Sequence, residues 1–338
     1  MSSLDLPDAA LATYLQAHVP GFEGPLVSTK FQGGQSNPTY RIDAASGTYV
    51  LRRKPPGQLL ASAHAVDREF RVLSALQGSA VPVARPLHLC TDESVIGSIF
   101  YLMAFVDGRI FWDPSLPELG VDDRAATFDA LVGTLAALHR VDVAAVGLAD
   151  NGKPGNYFAR QIARWSEQYR ASQTRKIPAM DALIDKLDAR CPADDGTVSL
   201  THGDYRIDNL MFHPTEPRVI AVVDWELSTL GHPLADLGYF CMALRLPRNP
   251  ALPGLAGLDR AALGIPEEAA MLQRYSELSG RPIPDDWPFV VAFSFFRLAA
   301  IAQGVARRAQ QGNASSEKAV QAGQMTELLA QTGLQTLR

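Results

Sequence analysis

One polar stretch constrains this chain more than any other. It reads Thr201-His202-Gly203-Asp204-Tyr205-Arg206-Ile207-Asp208-Asn209-Leu210-Met211-Phe212, and Asp224 follows the apolar run Val219-Ile220-Ala221-Val222-Val223. A carboxylate, Asp204, and an amide, Asn209, lie five residues apart on one short loop ahead of a strand. A second carboxylate, Asp224, ends the next strand, and pairing of the two strands would return it beside Asn209.

Aspartate and asparagine oxygens suit Mg²⁺, a hard ion that keeps waters and takes few protein ligands. With Asn209 and Asp224 given to the metal, Asp204 is free to orient a hydroxyl and accept its proton. Phosphoryl transfer asks for this arrangement, because its loose transition state needs positioning and charge neutralisation more than covalent chemistry. An Asp, an Asn five positions on and a later metal-binding Asp also reproduce the order of a protein-kinase catalytic loop. The competing reading, a metal-hydrolase fragment on His202-Gly203-Asp204, lacks further His at ligand spacing.

The 338 residues predict about two domains at roughly 150 residues each. Apolar residues make up 47% and charged residues 20%, enough to bury a core and too apolar for disorder. A net charge of −5 gives no global attraction to nucleic acid or to an anionic membrane. Cys90, Cys191 and Cys241 are odd in number and scattered, so they make neither a disulfide framework nor a metal spacing. No run approaches ~18 unbroken apolar residues, and the N-terminus lacks a signal pattern. The chain reads as soluble and cytoplasmic.

Residues 5–19 are patterned as a helix, and short β-prone runs with Gly-rich turns fill 27–53. A helix is predicted over 59–77, then strands over 81–90 and 98–105. From Asp122 the chain is mainly helical, including 157–172 and 178–190, with a β-rich interruption over 198–224. Helical texture resumes near Leu234 and again from Pro266, and Phe289–Ala306 is apolar nearly all round, like a core helix. The expectation is an α+β fold in two lobes: a small antiparallel-sheet lobe over 1–105 with one main helix, and a larger, mostly helical lobe over 106–338.

His202-Gly203-Asp204 through Phe212, then Val222-Val223-Asp224-Trp225-Glu226, then His232-Pro233-Leu234-Ala235-Asp236-Leu237-Gly238-Tyr239-Phe240 together resemble the aminoglycoside phosphotransferase family, of the protein-kinase-like fold. The resemblance implies Asp204 as the catalytic residue, Asn209 and Asp224 as Mg²⁺ ligands, and Asp236 as structural. Gly33–Ile42, Val50–Gly57, Arg164–Tyr169 and Ser294–Arg308 are similar to one subgroup, the kinase-like domain associated with acyl-CoA dehydrogenases. That narrower likeness implies ATP-dependent phosphorylation of an alcohol group on a hydroxyacyl-CoA of the 4-hydroxyacyl type, with an acyl-CoA dehydrogenase as functional partner. With no dehydrogenase segment, this chain would be the stand-alone version.

A kinase-like small lobe needs a strand cation paired with a helix carboxylate to hold the α/β-phosphates. Arg52 occupies the place of the kinase Lys, with Glu69 as partner, and Arg53 should point to the opposite face. Arg forks its contacts and will not copy Lys geometry. Gly33-Gly34-Gln35-Ser36-Asn37 fits a phosphate-covering turn, which makes Gly34, Ser36 and Asn37 nucleotide contacts. Met103-Ala104-Phe105-Val106 would be the hinge whose backbone meets the nucleotide base, with Met103 and Phe105 as contacts.

Other residues carry plainer readings. His202 bonds backbone around its loop, His139 ends a helix, Asp208 is either a surface or capping residue or a functional one, and Glu226 is a surface charge. Arg297 is either partnered in the core or aimed at an anionic substrate. Trp165, Gln168 and Tyr169 share one helical face, either core or acyl- or CoA-side wall. Arg245, Arg248, Arg307 and Arg308 are weaker candidates for CoA phosphates. The rival functions are aminoglycoside phosphorylation, which calls for an acidic cleft, and a non-catalytic nucleotide-binding module.

Overall fold

The β-prone runs of the first hundred residues close into one five-stranded antiparallel sheet in the computed structural model, which describes residues 5–31, 37–55, 66–249, 253–310 and 317–338. In chain order the elements are α1 (Asp8–His18), β1 (Leu26–Lys30), β2 (Thr39–Ala44), β3 (Gly47–Arg53), α2 (Val66–Ala75), β4 (Pro86–Cys90) and β5 (Phe100–Ala104). Then follow α3 (Val121–His139), α4 (Tyr157–Ser172), α5 (Pro178–Ala189), β6 (Ser199–Thr201), β7 (Leu210–Phe212), β8 (Val219–Val222) and β9 (Thr229–Gly231). The chain ends with α6 (Leu234–Met242), α7 (Arg260–Leu263), α8 (Glu268–Ser279), α9 (Trp287–Gln310) and α10 (Glu317–Thr336). This is the expected α+β class.

Two units divide the chain. The first comprises Met1–Arg109, Val146–Leu148 and Leu210–Ser228. Its sheet runs β1-β2-β3-β5-β4. Tyr40, Leu51 and Leu102 face one another across three strands and are buried with Leu11 and Leu15 of α1. Strand alternation turns the next row, Thr39–Arg52–Tyr101, to the opposite side. There α2 packs on β4 and β5 with Val72, Leu73 and Glu69 buried. One residue further along, Arg53 has a different partner, the Ser98 hydroxyl at 2.8 Å.

The β7–β8 hairpin belongs to this first unit, although the sequence groups 210–228 with the helical part. Val222 N–H donates to Pro82 O at 2.8 Å, and Arg109 and Phe212 exchange two backbone hydrogen bonds of 2.8 Å. Gly108 admits that approach: a Cβ there would lie 2.8 Å from Phe212 O. Two other expectations need trimming. β4 begins only at Pro86, since Pro82 lacks the N–H that a ladder needs and its carbonyl accepts from Val222 N. The helix expected over 59–77 is seen as α2, and 56–65 lie outside the described residues.

The second unit comprises Ile110–Ala145, Ala149–Asn209 and Thr229–Arg338. Its core is α9, which packs on α4, α5, α6 and α10 and buries Phe289, Val291, Phe293, Phe295 and Phe296. By length and composition Trp287–Arg308 is apolar enough to cross a membrane. Here it is the mostly buried centre of a helical bundle. The sequence pattern did not announce β9, α7 or α10. A three-residue strand and a four-residue helix are too short to show a period.

Buried polar groups tie three helices of this unit. His139 at the end of α3 lies 2.7 Å from the Tyr275 hydroxyl of α8 through Nδ1, and 3.3 Å from Asp236 of α6 through Nε2. Burial holds the imidazole below the usual histidine range, although Asp236 pulls the other way.

Two consequences can be measured. A Cβ on Gly238 would sit 2.6 Å from Val290 Cγ1 and 2.9 Å from Val290 O. Gly238→Ala should therefore cost about 1–3 kcal/mol of stability in urea unfolding, as an overpacked α6–α9 contact. Because His139 is neutral when folded and takes a proton on unfolding below about pH 6.5, its contribution is present above that pH and lost as pH falls. The stability advantage of the parent over His139→Gln should shrink between about pH 7 and pH 5. A difference that does not change with pH would remove His139 from this role.

Candidate active site

The loop after β6 is held from below by a buried carboxylate. Asp236 accepts hydrogen bonds from His202 N at 2.6 Å and from Gly203 N at 2.9 Å. Burial alone would raise this carboxyl. The hydrogen bonds from His139 and from the Gly203 N–H outweigh it and hold Asp236 below the usual range. Gly203 adopts φ +84°, a conformation that a β-carbon disfavours. His202 is fully buried, and its Nδ1 accepts from Asp204 N at 3.2 Å. It shapes the loop, as expected.

This frame presents Asp204, whose side chain is 25% exposed. Asn209 Nδ2 donates to Asp204 O at 2.9 Å and to Asp204 Oδ2 at 3.0 Å, which leaves the Asn209 carbonyl oxygen as an acceptor. Arg206 Nε stands 3.5 Å from Asp204 Oδ1 and is not aligned for a hydrogen bond, while its Nη2 bonds Asp208 at 2.7 Å. Burial, together with the Asp204 charge, drives the phenol of Tyr239 of α6 well above the ordinary range. It stays a donor. Arg297 of α9, 6% exposed, donates to Gly203 O and lies 5.5 Å from the Tyr239 ring and 5.8 Å from the Trp165 ring.

A second cluster lies within the first unit. Arg52 Nη2 is 2.5 Å from Asp224 Oδ1 and 3.6 Å from Glu226 Oε2. Its Nε is 2.9 Å from Glu69 Oε2, close enough for an ion pair but without hydrogen-bond alignment. Asn37 Nδ2 and the Tyr101 hydroxyl complete the hold on Glu69, at 2.7 and 3.1 Å. Burial raises Glu69, Arg52 opposes that, and repulsion from Asp224 and Glu226 adds to it, so the carboxyl is pushed up to about 7. Burial disfavours the Arg52 charge, but the surrounding acids more than compensate and raise its pKa. Asp224 sits at φ 66°, ψ 60°, a left-handed conformation that ends β8 abruptly.

The sequence thus brings Arg52, Glu69 and Asp224 into one cluster, and Asp204 and Asn209 into another. Leu210, which follows Asn209, is the register partner of Val222, two residues before Asp224. Asn37 is buried against Glu69; Gly34 and Ser36 lie outside the described residues. Met103 is half-buried in β5, opposite Val50 and Pro86, and Phe105 beyond it lies under the Arg41 guanidinium at 5.0 Å. Within the α4 stripe, Tyr169 is core, Gln168 is exposed and Trp165 is half-buried. Arg245 and Arg248 are matched to Glu268 and Asp113, while Arg307 and Arg308 are exposed.

Glu226, Arg206 and Tyr239 were not assigned to the site from sequence. Glu226 had a signal, standing two residues beyond Asp224. Tyr239 had one too, three residues after Asp236 and so on nearly the same helix face.

The chain matches the phosphotransferase enzyme family, APH, over residues 28–278. It is 46% identical over 331 residues to mouse acyl-CoA dehydrogenase family member 10, covering 97% of this chain but 31% of that protein. It thus spans about a third of that curated relative's length. The crystal structure of a candidate aminoglycoside phosphotransferase from Ralstonia eutropha is 50% identical, with TM-score 0.90 and 98% of each chain covered. A spectinomycin phosphotransferase solved with ADP and spectinomycin shares the fold at 12% identity and TM-score 0.65, covering 97% of this chain and 98% of its own. Since the family match spans most of its length, the chain belongs to the APH phosphotransferase family.

Proposed function

We propose that this phosphotransferase moves the γ-phosphoryl group of ATP to the hydroxyl of a hydroxyacyl-CoA. The observation that carries the reaction type is Asp204, partly exposed and clamped at one oxygen by Asn209 Nδ2. A carboxylate held in this way has its other oxygen open to an incoming hydroxyl. In the proposed step the acceptor oxygen bonds to the γ-phosphorus as the bond to the β-phosphate bridging oxygen breaks. The hydroxyl proton passes to Asp204, and ADP leaves. Arg52, backed by Glu69, would hold the α/β-phosphates.

The donor chemistry fits Mg²⁺. Around Arg52 one guanidinium faces three carboxylates, Glu69, Asp224 and Glu226, an excess of negative charge that a divalent cation would neutralise. The residues that would hold the ion are Asp224 and Asn209, both through oxygen. Bound there, Mg²⁺ would neutralise charge on the transferring phosphates. The acyl-CoA acceptor is supported by the likeness to mouse acyl-CoA dehydrogenase family member 10. An aminoglycoside acceptor is supported instead by the description of the Ralstonia protein.

Mass spectrometry separates the two. Incubation with Mg-ATP should add one phosphoryl group to 4-hydroxyacyl-CoA and leave kanamycin unchanged; modification of kanamycin alone would reverse the assignment. Asp204→Asn should lower turnover about 10²–10⁴-fold, the worth of a positioned general base. It should bind Mg-AMP-PNP as the parent does. Asp224→Asn should instead lose the Mg²⁺-dependent rise in unfolding temperature that AMP-PNP gives the parent. An equal rise in both would take Asp224 out of metal binding.

A further inference from the structure

The second unit has a cavity of about 530 Å³ against α4, within the size range of small-molecule sites. Its charged lining is Lys153, Arg160 and Arg164 against the single carboxylate of Glu167. Three cations and one acid leave two positive charges, in a chain whose net charge is −5. Arg175, Arg190, Arg245, Arg248 and Arg274 of the same unit are each matched to an acid. Among the described residues, Lys153 and Arg164 have no such partner.

The cavity is built, not incidental. Arg160 Nη1 donates to Pro154 O at 3.2 Å and Nη2 to Lys153 O, which folds the 153–154 segment against the helix. Arg164 stands one helical turn further on, so the two guanidinium groups share a face. Gly152 lets this segment press onto β9, since a Cβ there would collide with Thr229 Oγ1.

Its wall also leads to the catalytic loop. Thr229 lines the cavity and is the register partner of Thr201, whose hydroxyl donates to Thr229 O at 2.9 Å. Asp204 lies three residues beyond Thr201, at most about 10 Å of extended chain. From the other side, Gln161 accepts from Trp165 Nε1 at 3.0 Å, and Trp165 lies against Arg297, which donates to Gly203 O.

We propose that this cavity binds the phosphate-bearing end of an elongated acceptor whose hydroxyl is presented to Asp204. The inference rests on the acceptor reading above. Guanidinium forks and an ammonium are the groups that recognise phosphate esters. An acceptor with phosphates at one end and its hydroxyl at the other can span the two places. Lys153 and Arg164 would then set acceptor affinity and leave the chemical step untouched.

The test uses the full chain saturated with Mg-AMP-PNP, so that the nucleotide site is filled, and titrates coenzyme A by calorimetry. Lys153→Gln/Arg164→Gln should weaken coenzyme A binding by about tenfold or more. Its affinity for Mg-AMP-PNP should equal the parent's. Both side chains are exposed, so the variant should fold, and circular dichroism checks this. Equal coenzyme A affinity in the two proteins, or no binding to the parent, overturns the proposal. In turnover, the variant should raise KM for 4-hydroxyacyl-CoA and leave kcat unchanged. KM for the phosphate-free N-acetylcysteamine thioester should not move. Should the parent phosphorylate neither thioester while the variant still loses coenzyme A binding, the cavity stands and the acceptor reading falls.

Discussion

A carboxylate taken fully out of water must be met by donors on every side, and Asp236 is the place in the second unit where that demand organises the surroundings. Its two oxygens take the N–H groups of His202 and Gly203, and it stands against His139, itself bonded to Tyr275. One side chain of α6 thus fixes the start of the loop that carries Asp204 and joins it to α3 and α8. The left-handed Gly203, the position of Asp204 and the turn to Asn209 all depend on those two backbone contacts. Burying an ion at this cost is weak evidence for stability as such. It is better understood as fixing one loop conformation, since no apolar residue could accept both N–H groups.

The first unit solves the opposite problem. Arg52 is nearly buried, and three acids compete for it. The fork of an arginine can address several carboxylates at once, which the compact ammonium of lysine cannot do with the same geometry. The cost falls on Glu69, buried, crowded by two like charges and pushed up to about 7. Asn37 and Tyr101 each donate a hydrogen bond to it, and these neutral donors limit that cost without adding charge. Glu69 is thus the enclosed member of the cluster, and Asp224, hydrogen-bonded to Arg52 and 34% exposed, is the open one.

Much of this was legible in the sequence, for reasons that differ by element. The β2, β3 and β5 strands alternate with a period of two, so Arg52 and Arg53 had to take opposite faces. Glu69 was readable because a lone acid on the buried stripe of α2 needs a cation. Asp204, Asn209 and Asp224 were readable from spacing and strand context. The Asp236 contacts were not, because nothing local shows that an acid on an apolar helix will accept from backbone N–H groups about thirty residues earlier. Nor was the membership of β7 and β8 in the first unit, which depends on backbone hydrogen bonds to Pro82 and Arg109. Arg297 lay between two readings, core partner or anion ligand. The structure bears out the first: Arg297 is buried and partnered by a carbonyl and two aromatic faces.

Those contacts of Arg297 bear on how Asp204 can serve in the proposed reaction. A carboxylate locked in a short, aligned ion pair has its lone pairs committed and makes a poor acceptor for a substrate proton. Here the hydrogen-bond donor to the Asp204 carboxylate is neutral, the amide of Asn209. The cations stand off: Arg206 is 3.5 Å away, misaligned and bonded to Asp208, and Arg297 is engaged by the Gly203 carbonyl. The Asn209 amide fixes the direction of the carboxylate, and the displaced cations supply a positive field without occupying it. Orientation and availability, which a single salt bridge would set against each other, are thereby assigned to different residues.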